Sequence, residues 1–171
     1  MQITLTKGQR EDWIAIMRGD GSRAETRFTH KGPVPHDAVH LFVEAGLNLD
    51  QGFWGMVAGG LHPDELAELA KTAGHASAKR AGIPDASIVQ LLQAERLVEV
   101  FEADLWSGNA GDENALLDLG RIACSYSHVP MPLVPVNAVA QIRAAIAKFA
   151  AEWRAAPIGH HTEFIWPLSR C

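Results

Sequence analysis

The chain has 171 residues, of which 47% are apolar and 20% charged, a usage that excludes a disordered or low-complexity polymer and fits one folded unit of ordinary size. Fifteen Lys and Arg stand against twenty Asp and Glu, a net charge of -5; this is the wrong sign for a surface that grips phosphate backbones, so no nucleic acid partner is expected. Two cysteines, Cys124 and Cys171, cannot found a disulfide scaffold, and a reducing cytoplasm is the expected compartment.

The first residues, Met1 to Gly8, alternate polar with apolar and lack the apolar run of about 7–15 residues that a secretory leader needs. The weakly charged stretch Gly52 to Leu61 falls far short of the roughly 20 apolar residues that cross a bilayer, so no membrane contact is expected. Ile3 and Leu5 alternate with Gln2, Thr4 and Thr6, which predicts a half-buried strand. Trp13 to Met17 is apolar on both faces and is followed by Gly19-Asp20-Gly21-Ser22 and by alternation from Ala24 to Thr29, the pattern of a hairpin. Gly32, Pro33 and Pro35 then break the β region.

From His36 the period becomes helical, with Val39, Leu41, Phe42 and Val43 apolar and Gly46 in place for a left-handed cap, which predicts a helix of about ten residues. Phe53 to Val57 adds a turn or two before Gly59-Gly60. His62-Pro-Asp-Glu opens a helix carrying Leu66, Leu69 and Ala70, weakened at its far end by Gly74 and Gly82. Ser87 to Trp106 follows, capped after Pro84-Asp85, with Leu91, Val98, Phe101 and Leu105 on one face. Asp112 to Tyr126 reads as a helix with Leu116, Leu117, Leu119 and Ile122 apolar, and the three prolines of His128 to Pro135 make that segment an extended connector. Asn137 to Ala156 carries Ile142, Ile146, Phe149 and Trp153 as a buried stripe, and Thr162 to Trp166 reads as a closing strand. The expected fold is therefore α+β in a single domain over 1–171: a small antiparallel sheet from both chain ends (1–31 and 160–167), packed against a helical body of about five helices (35–157).

Chemistry concentrates in Pro35-His36-Asp37-Ala38-Val39-His40-Leu41-Phe42-Val43-Glu44. His36, His40 and Glu44 recur every four residues and lie along one side of a helix. At about 1.5 Å of rise per residue, neighbours in this series are about 6 Å apart along the axis and can share an ion, whereas the outer two are about 12 Å apart and cannot. The helical pair is thus His36 with His40, or His40 with Glu44, completed by ligands from elsewhere around a divalent Zn, Mn, Fe or Ni ion. The plainer reading is Asp37 at the positive helix end and His40 with Glu44 as an ordinary i,i+4 pair. That reading leaves Glu44 unexplained, because a carboxylate in the last turn meets the negative end of the helix dipole. Asp37 stands where a zinc protease has its glutamate, yet the His-Glu-x-x-His signature is absent.

Glu95, Glu99 and Glu102 form an acidic stripe that reads as a solvated face, and it can bind metal only where a second helix brings partners. His161 and Glu163 point to one side of the closing strand and would join a site if the sheet packed across the first helix. His62 precedes a helix-starting proline, His75 lies beside Gly74, His128 sits in the proline connector, and Cys124 reads as a buried thiol. No Gly-x-Gly-x-x-Gly, Walker loop or nucleophile elbow occurs.

His36-Asp37-x-x-His40-x-x-Val43-Glu44 followed by Gly52-Phe53-Trp54-Gly55 resembles a group of bacterial proteins with a His-Asp-x-x-His helix and a Phe-Trp-Gly turn. The resemblance spans residues 33 to 60 and implies no particular activity. Two functions follow as expectations. One is a small-molecule binding or regulatory module whose pocket, near 36–55, is walled by Phe53 and Trp54. The other is a metal-dependent enzyme, hydrolytic in type, in which His36 and His40 hold an ion that acidifies a bound water. Self-association as a homo-oligomer is compatible with either.

Overall fold

The alternation at both chain ends builds a single antiparallel sheet. The computed structural model describes residues 1–29, 32–74, 84–109 and 111–167; His75, Gly82 and Cys171 lie outside them. Strands β1 (Gln2–Thr6), β2 (Glu11–Met17), β3 (Arg23–Thr29) and β4 (His161–Ile165) lie in the order β3-β2-β1-β4. The closing strand pairs with the opening one, setting Ile3 beside both Ile16 and Phe164. That register puts Ile3, Leu5, Ile14 and Ile16 on one face, all essentially inaccessible to solvent. Trp13 and Met17, which made β2 look apolar on both sides, turn to the other face. There the Arg27 guanidinium lies 4.3 Å over the Trp13 ring and covers part of it.

Six α-helices lie among the described residues: α1 (His36–Leu47), α2 (Phe53–Ala58), α3 (Pro63–Gly74), α4 (Val89–Trp106), α5 (Glu113–Tyr126) and α6 (Ala138–Ala155). None is long and apolar enough to cross a membrane. A 3-10 turn, Ala86–Ile88, leads into α4, with the Asp85 side chain accepting from the Ser87 amide at 2.8 Å. The sheet packs its apolar face on α1 and α6 through Phe42, Phe149 and Phe164, whose rings meet at 5.7 to 5.9 Å. Helix α1 also packs on α4. Being enclosed by α4, α6 and the sheet, it buries Ala38, Val39, Leu41, Val43 and Leu47, and with them the polar His40 and Glu44.

Three expected features of these helices are corrected. The left-handed residue closing α1 is Asn48, at φ 57, rather than Gly46. Asn tolerates that conformation, which leaves glycine for a different need at position 46. A Cβ on Gly46 would stand 2.5 Å from Ile142 Cγ1, so its absence lets α6 approach α1. Gly46→Ala is expected to cost about 1–3 kcal/mol by overpacking; urea denaturation would detect the lower midpoint. On α5 the buried line is Leu116, Gly120 and Cys124, while Leu119 and Ile122 are more than half exposed. Gly120 sets this rotation, since a Cβ there would meet Leu97 Cδ2 at 2.9 Å. The Cys124 thiol is buried as expected, and burial pushes it up to about 11. On α3, Leu66 and Ala70 are buried but Leu69 is not.

Candidate metal centre

The centre forms where the first turns of α1 face the middle of α4. Pro35 starts α1 with extended backbone, φ -60 and ψ 128, and the helical repeat then places His36 and His40 one turn apart. Their rings meet edge to face, with centroids 4.9 Å apart, and their Nε2 atoms approach to 3.2 Å. Across the interface Glu95 of α4 sets Oε1 3.7 Å from His40 Nε2 and Oε2 3.6 Å from His36 Nε2. One donor atom from each of His36, His40 and Glu95 therefore lies within 4.8 Å of the others.

The outer edges of both rings are also occupied by carboxylates. Glu44 Oε1 lies 2.8 Å from His40 Nδ1, and Glu102 Oε2 lies 3.1 Å from His36 Nδ1. The second oxygen of Glu44 accepts from the Trp54 backbone N–H at 3.0 Å. Gly52 gives this carboxylate room, because a Cβ there would fall 2.6 Å from its Oε2. Phe53 closes one flank, its ring centroid 5.3 Å from that of His40.

The charge balance follows from these contacts. Burial opposes a proton on either ring, but the surrounding carboxylates outweigh it. The Glu102 and Glu95 carboxylates beside it hold His36 up to about 9, and the Glu95 charge with the Glu44 hydrogen bond holds His40 up to about 10. Burial also works against ionisation of Glu95, yet the His40 charge and the nearby His36 ring hold it well below the usual carboxylate range. The site thus favours positive charge at its centre. Two imidazolium N–H groups cannot both point into a 3.2 Å gap, whereas one cation between two lone pairs meets the same demand without that clash.

The centre opens onto a cleft of about 870 Å³, bordered by Phe28, Phe53, Asp37, Arg96, Glu99 and Trp106 among others. Asp37 lies in its wall beside His36, its carboxyl raised by burial.

Several expected assignments change here. Glu44 does not join the converging donors: it meets the Nδ1 edge of His40, and the two nitrogens of an imidazole point away from each other. Trp54 does not wall the cleft. It has no exposed surface, and its indole N–H donates to the Asp37 carbonyl at 2.9 Å, which leaves Phe53 as the member of the pair that reaches the opening. The acidic stripe of α4 is not a solvated face throughout. Glu95 and Glu102 have side chains only 16% and 13% exposed, because α1 packs against them and brings the two imidazoles. Glu99 is the partly solvated member, 49% exposed and paired with Arg96 at 2.9 Å. His161 and Glu163 are exposed on β4 with their side chains on the face away from α1, and His128 is exposed in its connector.

The signal for Glu95 was its spacing from Glu102, seven residues or two turns along one face of α4. Nothing in the chain order says that this face meets His36. Comparison with protein-family models, curated proteins and solved structures finds no match for this chain.

Proposed function

We propose that this protein is a divalent-metal-dependent enzyme, hydrolytic in type, that holds its ion with His36, His40 and Glu95 and takes a small-molecule substrate in the adjoining cleft. One observation carries the reading: the two Nε2 atoms stand 3.2 Å apart, each with one oxygen of Glu95 within 3.7 Å, Oε2 for His36 and Oε1 for His40, and one donor atom of each residue lies within 4.8 Å of the others. An ion about 2.1 Å from each of its tetrahedral ligands sets those ligands about 3.4 Å apart. Two imidazoles and one carboxylate with a further position free is a ligand set that suits catalytic zinc, and an octahedral iron triad would draw the donors closer together. An ion held there would supply a bound water whose pKa is lowered towards neutrality, a source of hydroxide at ordinary pH. The cleft volume of about 870 Å³ suits a drug-sized molecule. Asp37 and Glu99 line the same cleft and are carboxylates that the ligand set leaves unused. A binding module without catalysis would use the cleft but would have no need of three converging donors.

The test is elemental analysis of protein purified without a nickel column, followed by hydrolysis of a panel of esters, amides and phosphoesters before and after chelation. Close to one equivalent of zinc, with an activity that chelation removes and zinc restores, is expected. Less than about 0.2 equivalents of any transition metal, with no thermal shift on adding Zn, Mn, Ni or Fe, would rule the reading out, since a bound ion stabilises a fold by mass action.

A further inference from the structure

If His36, His40 and Glu95 are the ligands, two of the remaining carboxylates, Glu44 and Glu102, stand directly against the imidazoles. Both end on the same kind of atom. Glu44 reaches the Nδ1 of His40 from one turn further along α1, and Glu102 reaches the Nδ1 of His36 from α4. A neutral imidazole has a single N–H, and a carboxylate facing Nδ1 holds that hydrogen there and leaves the lone pair on Nε2. In both rings Nε2 is the atom that faces the shared centre.

We infer that Glu44 and Glu102 are positioning residues for two metal-binding imidazoles, each fixing its histidine as the Nδ1–H form with Nε2 turned towards the ion. The inference rests on the metal reading and deepens it. The anchoring also fixes the ring planes: the 2.8 Å hydrogen bond between His40 Nδ1 and Glu44 limits rotation about the bond to Cβ, and the Glu102 carboxylate 3.1 Å from His36 Nδ1 favours one orientation of that ring. The two arms differ in burial. His40 and Glu44 side chains are 1% and 0% exposed, and Glu44 is itself held by the Trp54 amide. His36 and Glu102 are 35% and 13% exposed and border the cleft. The first arm is a rigid support and the second is reachable by solvent. A ligand whose distal nitrogen donates to a carboxylate is also a more basic donor, so both arms strengthen the metal bond as well as aim it.

The experiment measures zinc affinity by competition with a chromophoric chelator, together with the visible spectrum of the cobalt-loaded protein. It compares wild type, Glu102→Gln, Glu44→Gln and, as a charge control, Glu99→Gln. Glu102→Gln keeps the shape of a partly exposed side chain, so it remains informative even where Glu44→Gln fails to fold. The expected result is zinc binding weakened about 10–100-fold in Glu102→Gln, and likewise in Glu44→Gln, with stoichiometry unchanged and the cobalt bands displaced. Glu99→Gln should stay within about twofold of wild type, because its side chain pairs with Arg96 and touches neither ring. Wild type that binds no zinc overturns the metal reading and this inference together. Wild type that binds zinc, with Glu102→Gln matching it in affinity and spectrum, overturns the positioning role alone. An equal loss in Glu99→Gln also overturns it, since the effect would then be bulk charge.

Discussion

Zinc added to metal-free protein should raise the melting temperature by about 8–16 °C when free metal exceeds the dissociation constant a thousandfold. Binding to the folded state alone contributes about 4 kcal/mol at that excess, and each kcal/mol moves the midpoint of a chain this size by about 2–4 °C. Glu95→Gln should remove the shift. It withdraws the one proposed ligand that comes from α4; its side chain is only 16% exposed and faces both imidazoles, so the metal-free midpoint is expected to fall too, and the readout is the zinc-induced difference. The shift should also depend on pH. In the metal-free protein His36 is held up to about 9 and His40 up to about 10, against 6.5 for a free imidazole. Folded-state values above the unfolded ones give a contribution that is complete below pH 6.5 and is lost as pH rises through 9 to 10. Protons and metal compete for the same nitrogens, so affinity rises by up to about tenfold per pH unit for each proton displaced. The zinc-induced shift should therefore grow between pH 6 and pH 8 while the metal-free midpoint does not rise. Differential scanning calorimetry at a series of pH values measures both trends, and a shift that shrinks with rising pH would contradict imidazole ligation.

His40→Ala should eliminate metal binding and also cost the metal-free fold about 3–5 kcal/mol, the usual result of breaking a buried charged pair from one side. Glu44 is 1% exposed and would face a cavity where His40 Nδ1 had been, keeping only its backbone partners on the α2 side. The Phe53 ring loses a neighbour at the same time. Replacing both members with apolar side chains of similar size, as in His40→Leu with Glu44→Met, should recover most of that stability and none of the metal, because the pair is costly to bury as well as costly to break. His36→Ala provides the contrast: its side chain is 35% exposed, so metal should be lost with a stability change of about 1 kcal/mol or less. Urea denaturation and metal analysis of the four proteins separate these effects. Stoichiometric metal retained in His40→Ala would remove it from the ligand set.

The extent to which the site was legible in sequence follows from the range over which each rule operates. His36 and His40 were legible as a pair because a helix brings residues four apart onto one side whatever lies around it. The same rule made Glu44 look like an alternative ligand. It fixes where a side chain leaves the backbone, and it does not say which edge of an intervening imidazole that side chain meets. Glu95 and Glu102 carried the opposite ambiguity, since acids two turns apart on a helix are read as solvated unless a neighbouring helix supplies cations. Trp54 meets the same limit: two adjacent aromatics in a short helix point in different directions, and although both Phe53 and Trp54 are buried, only Phe53 borders the cleft.

By itself the sequence determined the local elements and most of their ends, because alternation, helical period, proline and capping groups act over a few residues. It also determined that strands at the two chain ends would meet in one sheet, since each has an apolar face that must be covered. Which residues share the centre was decided only by the tertiary structure. The α1–α4 contact turns the Glu95 and Glu102 face inward, and the α2 amides and Gly52 hold Glu44 against the outer edge of His40. Hydrogen bonds and ligand geometry act between atoms a few ångströms apart in space, and the order of residues along the chain does not contain those distances.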